Sequence, residues 1–222
     1  CTINNNDIAP KLTLNKIVIN DNGGTALESA WTLTATGNPA TDPATLSGPG
    51  AAGNTDVVSG ALFDAGTYDL SESAGPAGYT ASAWSCTGGQ TGTEAKVTLA
   101  LGDDITCTIT NNDDTAHLQL IKTVTNNNGG TAVATDWTLT ANGTGTNDIS
   151  GAGGFDQDVN ADTYALSEST GPAGYAAGTF SCVKNGGAPV VGASITLALG
   201  DSAVCTINNN DIAPKLTLNK IV

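Results

Sequence analysis

Apolar and polar residues alternate through most of this chain in short runs, the pattern of half-buried β-strands. Turns rich in Gly, Pro, Asn and Asp separate the runs, and no long amphipathic helix is apparent. The pattern therefore predicts an all-β chain of antiparallel β-sandwich domains. The clearest predicted strands are residues 12–19, 31–35, 68–72, 84–86, 97–101 and 105–111.

The chain also repeats itself. The segment CTINNNDIAPKLTLNKIV occupies residues 1–18 and again 205–222, and a diverged copy, CTITNNDDTAHLQLIKTV, occupies 107–124. This spacing predicts tandem domains of about a hundred residues, the usual domain size. We expect a last strand and linker of a preceding repeat, two complete sandwich repeats, and the first strand of the next repeat, at residues 1–10, 11–114, 115–214 and 215–222 respectively.

The second repeat is shorter than the first. The offset between equivalent residues is 106 from Lys16 to Lys122 but 96 from Glu72 to Glu168. The Gly-, Pro- and Thr-rich stretch 36–60 lies between these landmarks, and we interpret it as a surface loop region of variable length, where such changes are tolerated.

Composition narrows the classes of function. The formal net charge is −14 and there is no arginine, so the basic face that a nucleic acid or an anionic membrane requires is missing. The hydrophobic fraction of 39% and the regular alternation indicate a folded chain rather than a disordered one. We expect no nucleic-acid partner and no membrane insertion in this fragment.

The five cysteines predict disulfides. By position in the repeat, Cys86 pairs with Cys107 and Cys182 with Cys205, whereas Cys1 is the counterpart of Cys107 and its partner is expected in a preceding repeat. Paired cysteines imply an oxidising compartment and hence export. No Cys-x-x-Cys or Cys/His cluster suggests zinc, and we expect no metal and no cofactor.

Three polar residues recur on apolar strand faces in both repeats. Residues i and i+2 of a strand face the same side. Lys16 follows Leu12 and Leu14 in phase, and Glu72 and Asn111 stand at equivalent apolar phases of their own strands. The second repeat has the same three residue types in phase, at Lys122, Glu168 and Asn209.

This trio has a chemistry of its own. Burial lowers the pKa of a lysine and raises that of a glutamate, and a neutral lysine amine is a nucleophile. A neighbouring carboxyl can shuttle protons while the asparagine amide loses ammonia. The product is a Lys–Asn isopeptide bond, formed within the chain. The alternative is an unreacted Lys–Glu ion pair beside an asparagine that starts a turn. In that case the disulfides are the only covalent cross-links.

The segments ESAGPAGY (72–79) and ESTGPAGY (168–175) resemble the E-x-x-A-P-x-G-Y motif of collagen-adhesin B-repeat and SpaA-type pilin domains. The resemblance covers both repeats and implies a prealbumin-like, Ig-like sandwich. It also implies that the first-strand lysine bonds to the last-strand asparagine with help from the motif glutamate. Gly75 and Gly171 depart from the motif, which has alanine there.

Together these features predict a structural protein. We expect a repeat unit of a long extracellular, cell-surface bacterial fibre or adhesin stalk, not an enzyme, whose partners are neighbouring copies of the same repeat. A ligand-binding module for carbohydrate or calcium-dependent attachment is the alternative. The turn at residues 20–24 offers oxygens to calcium but lacks spaced carboxylates, and we interpret it as a hairpin turn.

Overall fold

The structure is a computed structural model that describes residues 1–4, 6–38, 45–51, 57–87 and 95–221. The chain divides into two compact units, Cys1–Asp114 and Thr115–Val222. Each unit consists of two β-sheets, as the alternation predicts.

The first unit contains a five-stranded and a four-stranded sheet among its described residues. Its strands are β1 (Lys11–Ile19), β2 (Thr32–Gly37), β3 (Thr45–Pro49), β4 (Val57–Val58), β5 (Gly66–Glu72), β6 (Tyr79–Ala81), β7 (Ser85–Cys86), β8 (Lys96–Leu99) and β9 (Asp104–Asp113), with a 3₁₀ turn at Glu28–Ala30. One sheet has the order β4-β1-β9-β6, with β7 also paired to β9, and the other has the order β3-β2-β5-β8.

The second unit repeats this arrangement. Its strands are β10 (Ala116–Thr125), β11 (Thr138–Asn142), β12 (Asp148–Ala152), β13 (Gly154–Val159), β14 (Asp162–Glu168), β15 (Tyr175–Ala177), β16 (Ser181–Lys184), β17 (Val190–Val191), β18 (Ser194–Leu197) and β19 (Ser202–Asp211), with a 3₁₀ turn at Ala134–Asp136. The sheets have the orders β13-β10-β19-β16-β17, with β15 also paired to β19, and β12-β11-β14-β18.

The core of each unit lies between its two sheets. In the first unit Leu12 and Leu14 of β1 pack with Leu33 of β2 and with Tyr68 and Leu70 of β5. These are the inward positions of the period-2 pattern, so the alternation that predicts the strands also identifies the residues that the sandwich buries. The second unit buries the equivalent residues of β10, β11 and β14.

The first and last strands of each unit are neighbours and run parallel. β1 pairs with β9 from Lys11↔Asp104 to Ile19↔Asn112, and β10 pairs with β19 in the same way. The other strand pairs are antiparallel. This pairing matters for the site because it places residues of the first strand beside residues of the last strand.

The loop interpretation of residues 36–60 is wrong in part, because strands β3 and β4 lie within this stretch, and strands β12 and β13 occupy the equivalent part of the second repeat. The alternation of apolar and polar residues does not reveal these strands, because glycine, proline and short length weaken the pattern. Their backbone hydrogen bonds come from pairing with β2, β1, β11 and β10. The prediction concerning residues 39–44 and 52–56 lies outside the described residues.

The length difference is confined to connections between these strands. By strand pairing, Pro49 is equivalent to Ala152, an offset of 103 residues, and Val58 is equivalent to Asp156, an offset of 98 residues. Both offsets lie between the 106 found earlier in the repeat and the 96 found later. The shortening is thus distributed over the β2–β3, β3–β4 and β4–β5 connections, and the strands themselves keep their registers.

The turn at residues 20–24 is not a hairpin turn. β1 pairs with β4 and β9, whereas β2 belongs to the other sheet. The turn therefore opens a connection that crosses from one sheet to the other, and Asn20, at its start, donates a side-chain hydrogen bond to the carbonyl of Ala26 at 3.0 Å.

The ends of the chain lie outside the sheets. Residues 1–4, 6–10 and 212–221 form no strand. Their assignment to neighbouring repeats stays a prediction. Among the described residues no helix has the length and the apolar character needed to cross a membrane.

Candidate functional site

The structure brings Lys16, Glu72 and Asn111 together inside the first domain. The Lys16 ammonium donates a hydrogen bond to Asn111 Oδ1 at 2.6 Å and lies 3.3 Å from Glu72 Oε2. Lys16 is 3% exposed and Asn111 is 2% exposed. The nucleophile, the amide and the carboxyl proposed from the sequence thus meet in one cluster, in which Lys16 and Asn111 are buried and Glu72 is partly buried.

The second domain assembles the same trio in a different set of contacts. Lys122 Nζ donates to Glu168 Oε2 at 2.8 Å, and Asn209 Nδ2 donates to Glu168 Oε1 at 3.0 Å. Glu168 therefore bridges the amine that would attack and the amide nitrogen that would leave. A carboxyl in this position can take a proton from the first and deliver one to the second.

Strand register explains why these residues meet. In the parallel pair of β1 and β9, Lys16 stands opposite Ile109 and Val18 stands opposite Asn111. Lys16 and Asn111 are thus diagonal neighbours on the buried face, and the long lysine side chain spans the offset. Glu72 ends β5 in the facing sheet, so the trio joins both layers of the sandwich.

Burial sets the protonation of the lysine. Desolvation lowers the pKa of Lys16 below its ordinary value of 10.5, and the charge of Glu72 opposes this shift only in part. Glu72 Oε2 is buried, and the Lys16 ammonium lies 3.3 Å from it. The lowered pKa of Lys16 favours the neutral amine needed for attack.

Two tryptophans belong to the site although the sequence analysis did not assign them to it. The Lys16 ammonium lies 4.8 Å from the ring centroid of Trp31, and Lys122 lies 4.8 Å from that of Trp137. Both tryptophans are 2% exposed. Their position in the sequence could have identified them. Each tryptophan stands two residues before a leucine, Leu33 or Leu139, that pairs with the motif glutamate in the sheet.

The motif glycines face these tryptophans. A Cβ added at Gly75 would lie 2.0 Å from Trp31 Nε1, and one added at Gly171 would lie 2.0 Å from Trp137 Nε1. Real Cβ atoms do not approach other atoms so closely, so an alanine at this position would displace the buried indole. The departure from the motif's alanine thus has a structural reason in both domains.

A buried aspartate two residues beyond each asparagine was also missed. Asp113 is 2% exposed; it accepts hydrogen bonds from the backbone N–H groups of Asp21 at 3.0 Å, Asn22 at 2.9 Å and Gly24 at 2.7 Å. Burial alone would raise the pKa of Asp113, but the three backbone donors together hold it below its ordinary value. Asp211 makes the equivalent bonds to the backbone of Asn127, Asn128 and Gly130.

These aspartates explain the turn for which calcium binding was considered. The turn's backbone N–H groups point inward to a carboxylate of the last strand, and this bonding fixes the turn. Among the described residues no group of three His, Cys, Asp or Glu side chains is placed to hold a metal ion.

Two disulfides tie the last strand to its antiparallel neighbour. Cys86 is bonded to Cys107, and Cys182 is bonded to Cys205. Each pair is directly opposite in the ladder. Cys1 has an exposed free thiol, and its pairing with a preceding repeat stays a prediction.

The only histidine of the chain lies away from these sites. His117 contacts Asp158 through Nδ1 at 2.9 Å and Asp156 through Nε2 at 2.6 Å. Hydrogen bonds to Asp158 and then to Asp156 raise the pKa of His117 above its ordinary value. The side chain is 40% exposed and joins β10 to β13 at the surface.

A solved structure with a TM-score above 0.5 has the same fold. The TIE protein of Bacillus anthracis matches with 14% identity and a TM-score of 0.54 over 92% of this chain, which spans only 34% of that protein. The major pilin of Streptococcus pyogenes matches with 11% identity and a TM-score of 0.41, covering 92% of this chain and 99% of the pilin. The pilus adhesin SpaC of Lactobacillus rhamnosus GG matches with 15% identity and a TM-score of 0.41, covering 91% of this chain and 31% of the adhesin.

Sequence comparison gives a firmer assignment. No curated protein sequence matches the chain. The prealbumin-like fold domain of the SpaA type matches twice, over residues 7–109 and 113–207. The two matches together cover most of the chain, and both include the lysine and the motif glutamate of their repeat. The chain therefore belongs to the family of prealbumin-like fold domains.

Proposed function

We propose that this chain is a structural segment of an extracellular bacterial fibre or adhesin stalk and that each of its domains is closed by a Lys–Asn isopeptide bond. The observation that carries the proposal is the buried Lys–Glu–Asn trio, assembled twice from the first strand, the facing sheet and the last strand. A protein that used these residues only for stability would gain little, because a buried ion pair barely offsets its own desolvation.

The reaction can be written with the atoms in place. A proton passes from Lys16 to Glu72, and the neutral Nζ attacks Asn111 Cγ, whose oxygen becomes the oxygen of the new amide. The glutamic acid gives its proton to Nδ2, the Cγ–Nδ2 bond breaks, and the nitrogen leaves as ammonia. The carboxylate then takes the second proton from Nζ, which keeps one hydrogen as the new amide N–H, and the departing ammonia carries that proton away as ammonium. Bond formation needs folding but no cofactor, since burial itself sets the protonation states.

The tandem arrangement supports a stalk. Residues 205–211, which include part of β19, have the same sequence as residues 1–7, and residues 212–222 repeat 8–18. We infer that residues 1–7 complete a preceding domain and residues 215–222 begin a following one, so that copies of the repeat are the chain's own neighbours. Such a chain is a cell-surface support and has no need of an enzymatic site.

The test is the intact mass of the two-domain protein under non-reducing conditions. Two isopeptide bonds lower the mass by two ammonia molecules relative to the sequence with its disulfides. Glu72→Gln should retain the first ammonia and Glu168→Gln the second, and peptide mapping should locate the remaining Lys–Asn link in the unaltered domain.

Matched variants make the result specific. Glu28→Gln removes a carboxylate whose charge acts on the same lysine but which has no part in the reaction, and it should leave both bonds intact. A wild-type mass with no ammonia loss would overturn the proposal and leave the trio as a buried polar cluster. The carbohydrate- or calcium-binding alternative predicts instead a ligand-dependent change in stability with no loss of mass.

A further inference from the structure

We propose that Trp31 and Gly75 act as an interlocked pair that positions Lys16 for bond formation, and that Trp137 and Gly171 do the same for Lys122. This inference rests on the proposed isopeptide bond. It assigns positioning residues that the lysine, glutamate and asparagine alone do not include.

The first step is the placement of the indole. Trp31 closes the Glu28–Ala30 turn and precedes β2, and its ring stands 4.8 Å from Lys16 Nζ. A second aromatic ring, that of Tyr79, meets the indole edge-on with centroids 5.4 Å apart. The lysine head is therefore bounded by an indole, which excludes water and restricts the rotamers that the amine can use.

The second step is the fit between the indole and the motif turn. The pyrrole edge of Trp31 occupies the space that a side chain at position 75 would need, with Nε1, Cε2 and Cδ1 all within 2.8 Å of an added Cβ. Trp137 has the same three atoms within 2.6 Å of an added Cβ at position 171. Because the motif turn begins three residues after the glutamate, one turn fixes both the carboxyl and the tryptophan over the lysine.

The third step is that both domains keep the pair although their surroundings differ. The trio makes different hydrogen bonds in the two domains, yet the distance from ammonium to ring is 4.8 Å in each. The distance between the ammonium and the indole is thus the same in both domains although the hydrogen bonds of the trio differ. This is the behaviour expected of a positioning group, since reaction requires the amine to stay within reach of the amide carbon.

The experiment is a double-mutant cycle on the two-domain protein with disulfides intact. Wild type, Gly75→Ala, Trp31→Leu and Trp31→Leu/Gly75→Ala are made by cell-free translation, and ammonia loss from each domain is followed with time by intact mass and peptide mapping. Gly75→Ala should slow bond formation in the first domain by roughly ten- to a hundredfold, the usual effect of misplacing a reacting group by about 1 Å. In the Trp31→Leu background the added alanine should change the rate little, because the indole that it displaces is absent.

Three controls separate positioning from loss of stability. Gly60→Ala adds a methyl group where no atom lies within 4 Å and should react at the wild-type rate. Leu99→Ala removes core volume at β8, which pairs with the opposite end of β5 from Glu72, and should destabilise the domain without slowing the reaction. The second domain of every variant reports an unperturbed rate.

The outcomes distinguish the two proposals. Absence of ammonia loss from the wild type would overturn the isopeptide bond itself, and this inference with it. Ammonia loss in the wild type, with Gly75→Ala reacting as fast as Gly60→Ala, would overturn the positioning role alone. Equal slowing of Gly75→Ala in the presence and the absence of the indole would also overturn it, because the glycine would then act without the tryptophan.

Discussion

Replacing Asp113 by asparagine should destabilise the first domain more than any change of a surface charge. Asparagine has nearly the shape of aspartate, but an NH₂ group replaces one of the two carboxylate oxygens. Oδ1 accepts from the N–H of Asp21, and Oδ2 accepts from those of Asn22 and Gly24. Whichever oxygen is replaced, at least one backbone donor then faces another donor.

The magnitude follows from these bonds. A buried donor left without an acceptor costs about 1–3 kcal/mol, and the bonds that remain lose the strengthening that a charged acceptor gives. We therefore expect a loss of about 2–4 kcal/mol in the free energy of unfolding. For a domain of about a hundred residues this corresponds to a fall in Tm of roughly 10–25 °C.

The pH dependence gives a second signature. The pKa of Asp113 is lowered in the folded state, so the stability that its carboxylate contributes is present above the unfolded-state pKa of about 4 and is lost as the pH falls through the lowered folded-state value. The difference between wild type and Asp113→Asn should therefore be full at pH 7 and should narrow steadily below pH ~4.

Calorimetry of the two-domain protein is the assay, with Asp211→Asn used to assign the transition of the second domain. Asp104→Asn is the matched control on the same strand, because its carboxylate is 67% exposed and lies 3.4 Å from the ammonium of Lys11. An exposed pair of this kind contributes at most about 1 kcal/mol. A loss for Asp113→Asn no greater than that for Asp104→Asn, or a difference that does not change with pH, would refute this account of the turn.

Two further predictions concern the second domain. Replacing Cys182 and Cys205 together by alanine should cost about 3 kcal/mol in chemical denaturation while leaving the first domain unchanged, and a loss shared equally by both domains would contradict the intradomain pairing. The pKa of His117 is raised by its two aspartates, so its contribution is full below pH ~6.5 and fades as the pH rises through the raised value. His117→Gln should abolish that slope in the second domain, and an unchanged slope would exclude His117 as its source.

The trio could be predicted from the sequence because strand periodicity alone specifies which residues face inward. Lys16, Glu72 and Asn111 each interrupt an apolar face, and the fold places all three in one buried cluster. The same rule applied two residues further would have identified Asp113, which continues the face of Asn111 and is buried. The predicted strand ends at Asn111 and therefore omits Asp113, whereas β9 extends to Asp113.

Other features could not be found from local pattern. Strand β3 contains glycine and proline, which disfavour strands, and β4 consists of only two valines, too few to show an alternation. Pairing with β2 and β1 places them in the sheets. The contact of Trp31 with Lys16 joins residues from different sheets, and nothing in the spacing of the two predicts a distance. Gly75 was visible as a departure from the motif, but its reason required the position of the indole.

The arrangement of the last strand explains how such a domain would resist tension along the chain. Parallel pairing places the start of β1 and the end of β9 at opposite ends of one ladder, so pulling on the chain shears the ladder and loads its hydrogen bonds together. On the buried face of β9, Cys107 is bonded to β7, Asn111 contacts the lysine of β1, and Asp113 holds the turn that follows β1. These three attachments all belong to the inward-facing residues of one strand. An isopeptide bond at Asn111 would therefore carry the force directly from β1 to β9 and leave residues 17–110 outside its path.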